Sequence, residues 1–268
     1  MMLRLFLPLL VISFLALPAQ ADAKKKVLLV GQGPDGLHAA GTHEYDPGVR
    51  LFAQVLRDLP DLDLTIVKAD GAWKDGPELI ERADAVVLFV AEGGVWLKAD
   101  PKRYEAVSKL LKRGGGVVAI HWSCGARPNQ MVPDTVKIFG ACHGGDDRKF
   151  KVVEVIAEVP DHPINTGIKD FKIKDEFYYK LKMAQPATGI LPVLRVPIDG
   201  EKETVAWSWE RPEGGRIVGF TGLHFHENWR VPEYRRLLAQ GLLWTLKLPI
   251  PDKGVPIGVV KNEDLKLK

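Results

Sequence analysis

Apolar runs alternate with helical spacings through the first half of the chain. Four of the runs are typical of strands buried on both faces. After Asp46-Pro47 and after Asp100-Pro101, apolar residues recur every three or four positions, which predicts helices that begin with an acidic cap followed by proline. This alternation predicts a doubly wound α/β fold, with a mostly parallel sheet and helices on both faces. The four strands are expected at 26–31, 62–67, 83–90 and 117–120.

The second half has shorter apolar segments separated by proline and glycine turns. They predict additional antiparallel strands, followed by a closing helix at 232–246. No linker divides the two halves, so we expect a single domain over 24–250 whose later strands extend the sheet, and a tail over 251–268. These later strands are expected at 150–157, 189–196, 203–209 and 216–221.

The N-terminus has the pattern of an export signal. Arg4 precedes an apolar run at 5–17, and small residues follow at Ala19, Ala21 and Ala23. We expect residues 1–23 to be a cleavable signal peptide and the mature protein to be periplasmic or secreted. The run is shorter than the roughly 20 apolar residues of a spanning helix, so we expect no stable membrane span, with an N-terminal anchor as the alternative.

Charge and cysteine content restrict the function further. A formal net charge of +3 over 268 residues does not provide the basic surface that nucleic-acid binding requires. Export would permit a disulfide, but two cysteines do not make a disulfide-stabilised scaffold. We therefore expect no nucleic-acid partner.

The carboxyl ends of the predicted strands point to one site. Ligands of open α/β sheets bind beyond these ends, where the strand order reverses. The first strand leads into a loop with His38, His43 and Glu44, and the fourth leads directly into His121. We expect these loops to face one another.

The segment from Gly31 to Gly36 reads G-x-G-x-x-G, the dinucleotide-binding pattern. Its context is wrong, because Pro34 and about a dozen loop residues precede the helix, and strand two ends without a ribose-binding acid. We interpret the segment as a flexible loop bordering the site and expect no nucleotide cofactor.

Histidines are concentrated at predicted strand ends and in loops. Imidazole suits proton transfer near neutral pH and is the commonest metal ligand, so both functions stay open, beside the ordinary structural one. The six residues are His38, His43, His121, His143, His224 and His226.

Two carboxylates precede two phenols in the segment 175–179. If it is extended, its side chains alternate between faces, so only one of Asp175 and Glu176 can reach the site, and Tyr178 shares the face of Glu176. The alternative is a solvated acidic turn.

Tryptophans accompany these polar loops, including Trp122 and Trp229. Flat aromatic faces beside hydrogen-bonding groups suit the C–H faces of sugars, although buried core tryptophans are common. A cysteine nucleophile is not expected, because His121 stands at the apex after the fourth strand and Cys124 comes three residues later.

Taken together, the motifs resemble the ThuA-like (trehalose utilisation) domain proteins over residues 25–258. The resemblance implies a flavodoxin-like fold of the class I glutamine amidotransferase type without its nucleophile, and a role in the metabolism of disaccharides and their keto derivatives. Leu223 departs from the glycine that is usual there. The motifs are His38-x4-His43-Glu44, "GGGVVAIHW", "FGACH", "DHPINTGI", "DEFYY", "GGRIVGFTGLHFHENW" and "LLWTL".

The leading hypothesis is an exported enzyme that performs acid–base chemistry on a glycoside or keto-sugar. The expected catalytic residues are His121, His224, Glu176 and Asp175. His121 is expected to be the base, and Glu176 or Asp175 the acid or the group that orients a histidine. The alternatives are a non-catalytic carbohydrate- or partner-binding module and a His/Glu metal-dependent hydrolase. A small-molecule carbohydrate is the expected partner, with a homo-oligomer open. The expected substrate contacts are His38, His43, Glu44, Trp122, His143, Tyr178, His226 and Trp229.

Overall fold

A computed structural model describes residues 23–267. The predicted signal peptide falls almost entirely outside these residues. The strands are β1 (Lys25–Gly31), β2 (Leu62–Lys68), β3 (Ala85–Phe89), β4 (Gly116–Ile120), β5 (Gly125–Ala126), β6 (Ala141–Gly144), β7 (Lys149–Ala157), β8 (Phe171–Tyr179), β9 (Lys182–Met183), β10 (Ile190–Ile198), β11 (Glu201–Glu210) and β12 (Arg216–Phe220). The helices are α1 (Tyr45–Leu56), α2 (Gly76–Arg82), α3 (Gly93–Lys98), α4 (Pro101–Lys112), α5 (Val132–Phe139) and α6 (Pro232–Thr245).

A seven-stranded sheet forms the centre of the fold, in the order β10-β11-β12-β4-β3-β1-β2. The five strands from β12 to β2 are parallel, and β10 and β11 join antiparallel at one edge. Helices α1 and α6 contribute to the apolar cluster on one face, whereas α2, α4 and α5 contribute to the cluster on the other. The expected doubly wound α/β architecture is confirmed.

Two strands of the second half do not extend this sheet. β7 and β8 form a separate antiparallel hairpin with nine residue pairs, which corrects the expectation that all later strands join the main sheet. Along β8, Ile173 and Phe177 enter the apolar core and Asp175 is buried with them, whereas Lys172 and Lys174 are exposed. The hairpin thereby closes one side of the sheet's carboxyl edge.

The first residues of α1 and α4 test the two predicted N-terminal caps, Asp46 and Asp100. Asp100 accepts a hydrogen bond from the amide of Lys102 at 2.9 Å, so it caps α4 as expected. Helix α1 begins at Tyr45 instead of after Asp46, and Asp46 pairs with Arg50 one turn later. The first cap prediction was therefore wrong. Within residues 23–267, no helix is long and apolar enough to cross a membrane.

The turn after β4 is packed tightly against the start of α3. The hydroxyl of Ser123 accepts a hydrogen bond from the amide of Val90 at 2.7 Å, which ties the turn to the end of β3. A Cβ added at Gly93 would lie 2.1 Å from the carbonyl oxygen of Ser123. Only glycine therefore fits at this contact.

We expect Gly93→Ala to lower the free energy of unfolding by about 1–3 kcal/mol or more, because the added methyl group must displace backbone. Gly258→Ala is the matched control, since no atom lies within 4 Å of its Cβ position. Urea denaturation of both variants measures the difference. Equal stability of the two would show that the contact at Ser123 is not restrictive.

Candidate functional site

A cleft of about 350 Å³ opens at the carboxyl edge of the sheet. The loop after β1, the turns after β4 and β12, and the hairpin strand β8 all contribute to it, as expected for an open α/β sheet. Its lining residues are Leu37, His38, His43, Trp122, Arg127, His143, Arg148, Phe150, Glu176, Tyr178 and His224.

Four side chains converge at the floor of this cleft and just beneath it. The Nε2 atoms of His43 and His121 lie 3.3 Å apart, and the Nδ1 of His224 lies 3.4 Å from the same atom of His121. The carboxylate of Glu176 is 3.3 Å from the His224 Nδ1. One nitrogen or oxygen atom from each residue lies within 4.8 Å of the others. We call these four residues the His/Glu cluster.

The backbone is held in the left-handed region where it presents these side chains. His43 has φ of 51°, His121 has φ of 50° and Leu223, directly before His224, has φ of 68°. Such conformations cost about 1–3 kcal/mol each in residues other than glycine, and they concentrate at functional sites. At Leu223 the positive φ is a conformation that glycine adopts at less cost.

His121 is held in one tautomer by the end of β12. Its Nδ1 lies 2.7 Å from the carbonyl oxygen of Thr221, so the proton is on Nδ1 and the lone pair is on Nε2. The ring is completely buried and does not line the cleft. Burial lowers the pKa of His121 well below its usual value, and the neighbouring His43 adds to this shift.

His43 is oriented by a relay of hydrogen bonds. Its Nδ1 lies 3.0 Å from the hydroxyl of Tyr45, which itself donates to Asp35 at 2.9 Å. Asp35 also accepts from the Nδ1 of His38 at 2.7 Å. Since the single Tyr45 proton goes to Asp35, the Nδ1 of His43 must be the donor to Tyr45, and the Nε2 of His43 carries the lone pair. Burial lowers the pKa of His43 to about 3.

Two side chains of the cluster are partly exposed to the cleft. The exposed fraction is 13% for Glu176 and 12% for His224. Burial raises the pKa of Glu176 to about 7, and the charge of Asp175 adds to the shift. Burial lowers the pKa of His224 to about 4, so near neutral pH its imidazole is neutral. These are the two groups best placed to meet a ligand.

Aromatic rings form one wall of the cleft. Tyr178 stacks on His143 with centroids 3.8 Å apart and 8° between the planes, and Trp122 meets Tyr178 edge-on at 5.5 Å. Phe150 stands edge-on to His143 at 6.3 Å and is 57% exposed. The wall offers flat apolar faces next to the polar floor.

The structure brings together eight residues that the sequence placed at the site: His38, His43, Trp122, His121, His143, Glu176, Tyr178 and His224. As expected from strand alternation, Glu176 faces the cleft, while Asp175 is 0% exposed and accepts hydrogen bonds from the amides of Leu223 and Glu176. Asp175 and His121 are completely buried, so neither has a surface that a substrate could reach directly. Of the two roles expected for Asp175, that of an acid acting on the substrate does not fit this burial, whereas that of an orienting group does.

Three of the expected substrate contacts lie elsewhere. Trp229 is completely buried and packs against Phe52 with centroids 6.0 Å apart, so it belongs to the core. His226 is buried to 5% exposure away from the His/Glu cluster, with both ring nitrogens unpartnered among the described residues. Glu44 accepts from the amide of Gly41 at 2.8 Å and lines a neighbouring pocket.

Sequence reasoning missed the residues that orient His43 and those at the rim. Tyr45 follows Glu44 directly, and Asp35 lies within the glycine pattern, but neither stands out without its partner. Arg127 and Arg148 line the cleft at its rim. Arg127 is paired with Glu92 at 2.7 Å, a contact across 35 residues that no local pattern reports.

Comparison with known proteins places this fold in a family. The model of the ThuA family, described as trehalose utilisation, matches residues 37–245. A ThuA-like protein from Bacteroides uniformis is similar in structure, with 17% identity, a TM-score of 0.63 and coverage of 86% of this chain and 95% of that one. A ThuA-like protein from Parabacteroides merdae has 15% identity, a TM-score of 0.61 and coverage of 92% and 100%.

A β-galactosidase catalytic mutant from G. stearothermophilus shares the fold more distantly, at 11% identity and a TM-score of 0.53, over 85% of this chain and 30% of that one. No curated protein matches the sequence. At these identities the solved structures establish the fold alone, and the expected flavodoxin-like fold is confirmed.

Both cysteines are free and buried, so we expect neither to react in the native protein. Burial raises the pKa of the Cys142 thiol to about 12 and that of Cys124 higher still. A thiol reagent such as Ellman's should titrate two thiols after denaturation and none before. Fast modification of one native thiol would contradict this and reopen a cysteine nucleophile.

We expect Trp229→Ala to lower the free energy of unfolding by about 3–5 kcal/mol, since it removes a fully buried indole. Phe150→Ala is the matched control, because this exposed aromatic residue lines the cleft and its loss should change stability by no more than about 0.5 kcal/mol. Chemical denaturation compares them. A stable Trp229→Ala protein would place the indole outside the core.

Proposed function

The chain belongs to the ThuA, or trehalose utilisation, family, and on that premise we propose that it is a sugar-active enzyme performing acid–base chemistry on a glycoside or keto-sugar. The observation that carries the proposal is the pairing of Glu176 with His224 at the floor of a cleft whose wall is aromatic. Carbohydrate catabolism is the corresponding role.

The shape of the cleft suits a sugar ring. Its volume of about 350 Å³ is at the lower end of the range of small-molecule pockets, roughly 300–1,000 Å³. The stacked rings of Tyr178 and His143 and the exposed face of Phe150 provide apolar contact for the C–H faces of a pyranose. Arg127 and Arg148 supply hydrogen-bond donors to sugar hydroxyls at the rim.

The reaction requires a proton acceptor and a proton donor within reach of the substrate. Removal of a proton from a carbon next to a carbonyl, or protonation of a departing glycosidic oxygen, needs groups at hydrogen-bond distance. Glu176 and His224, 3.3 Å apart and both open to the cleft, are the groups that we assign to this chemistry.

Other members of the site act through these two. Asp175 accepts hydrogen bonds from the amides of Leu223 and Glu176, and so holds the turn before His224 against strand β8. His121 contacts His224 from below at 3.4 Å. Asp175 and His121 are therefore positioning residues in this proposal.

The N-terminal pattern of Arg4, the apolar run at 5–17 and the small residues after it supports an exported protein. We propose that the enzyme meets its sugar outside the cytoplasm, in the periplasm or after secretion.

Oxidised and unoxidised disaccharides, trehalose among them, should be incubated with the protein, and products detected by mass spectrometry. We expect turnover of at least one, reduced about 10²–10⁴-fold in Glu176→Gln because the variant loses its proton-transferring group. Glu227→Gln is the matched control, since Glu227 is an exposed carboxylate near the same turn.

Calorimetry distinguishes the outcomes of this screen. A sugar that binds to the wild-type protein and yields no product after long incubation would contradict the enzymatic assignment and favour a carbohydrate-binding module. Equal turnover by Glu176→Gln and wild type would remove Glu176 from the chemistry.

A further inference from the structure

The hydrogen bonds around the His/Glu cluster leave two lone pairs facing one another. The Nδ1 proton of His121 goes to the Thr221 carbonyl, and that of His43 goes to Tyr45, so neither ring has a proton left on Nε2. These two nitrogens nevertheless lie 3.3 Å apart in a buried place. Two acceptors at this distance repel unless a cation or a hydrogen-bond donor lies beside both.

Tyr178 does not resolve this conflict. Its hydroxyl is 3.0 Å from the Nε2 of His121, but the two rings are stacked, with 21° between their planes and centroids only 4.5 Å apart. A phenol that donated along the in-plane lone pair would hold the ring centroids much farther apart. The hydroxyl therefore approaches from the face of the imidazole, and the in-plane lone pair stays directed into the cluster.

A proton is a poor cation for this place. Both His43 and His121 are buried, so a charged imidazolium would lose its hydration there. A divalent ion bound by several ligands at once compensates for that loss with direct coordination bonds. The cluster offers three neutral nitrogens and one carboxylate oxygen for such an ion.

The spacing of the ligand atoms fits a tetrahedral ion. For metal–nitrogen distances of about 2.0–2.1 Å, atoms at the corners of a tetrahedron lie about 3.3–3.4 Å apart. Three of the six separations among the ligand atoms, from His43 to His121, from His121 to His224 and from His224 to Glu176, are 3.3, 3.4 and 3.3 Å, and the other three are within 4.8 Å.

We propose that His43, His121, His224 and Glu176 form a binding site for one divalent transition-metal ion, most readily Zn²⁺, at the floor of the cleft. Imidazole and carboxylate ligands in this ratio favour Zn²⁺, Mn²⁺, Co²⁺ or Ni²⁺ over Ca²⁺ and Mg²⁺, which prefer an all-oxygen shell. Metal-bound histidines in proteins are usually oriented by a hydrogen bond from their other ring nitrogen. Here the Thr221 carbonyl orients His121, and the Tyr45–Asp35 pair orients His43.

A second group of potential ligands, Asp35, His38 and His43, does not make another site. Asp35 already accepts from Tyr45, from the ring of His38 and from the amides of Leu37 and His38. Its contacts are explained by hydrogen bonds alone, and it presents no unmatched lone pair comparable with that of His121.

The metal site stands independently of the sugar chemistry. In the metal-bound form, Glu176 and His224 would be ligands and would not transfer protons. The ion could polarise a sugar oxygen only by accepting it as a fifth ligand. Metal binding is measured without any substrate, so its failure and the failure of the proposed function are separate results.

The test uses protein without a histidine tag, treated with a chelator and then dialysed against Zn²⁺, Mn²⁺, Co²⁺ or Ni²⁺. We expect one ion per chain by inductively coupled plasma mass spectrometry, and a visible Co²⁺ spectrum of tetrahedral intensity. Less than a tenth of an equivalent of every ion, or a weak octahedral Co²⁺ spectrum, would overturn the proposal.

Variants connect the binding to these residues. Tyr45→Phe removes an outer partner of the site, so we expect it to raise the Kd for the metal by about 10–100-fold in calorimetry. Glu176→Gln and His224→Ala each remove a ligand, so we expect them to raise the Kd more than about 100-fold. His226→Ala is the matched control, two residues from His224 and outside the cluster. Wild-type affinity in Glu176→Gln and His224→Ala, with circular dichroism showing all variants folded, would refute the assignment.

Discussion

The site depends on the hydrogen bond from the His121 imidazole to the carbonyl of Thr221. This 2.7 Å contact joins the carboxyl ends of β4 and β12, which are neighbours in the sheet, and it selects the tautomer of a completely buried ring. Because no water competes for Nδ1, Nε2 is held at a defined point with its lone pair free. His43, His224 and Tyr178 are arranged around that point.

Burial determines the electrostatics of the same place. It moves the pKa values of the histidines down and those of Asp175 and Glu176 up to about 7, so every group in the cluster is driven toward its neutral form. The lone pairs of neutral imidazoles packed this closely favour a ligand that carries positive charge. A bound sugar would exclude water from the floor of the cleft. Its hydrogen bonds with the polar groups there would be stronger for that reason.

The turn after β4 shows how the scaffold was adapted. In α/β-hydrolases a strained turn between a strand and a helix presents the nucleophile. Here His121 occupies the apex with φ of 50°, while Cys124 turns inward toward the carbonyl of Ala119 and is completely buried. The strained turn therefore presents an imidazole, and the thiol of Cys124 points into the core.

The sequence alone determined the features that depend on local periodicity: the parallel strands, the cap of α4 by Asp100, and the alternation that sends Glu176 and Tyr178 to the cleft. It could not determine that β7 and β8 stand apart, or that Trp229 lies in the core. Nor could it find Tyr45 and Asp35, or tell which nitrogen of His43 is free. These outcomes depend on contacts between distant segments, and hydrogen-bond partners assign protons only once tertiary packing has brought them within reach.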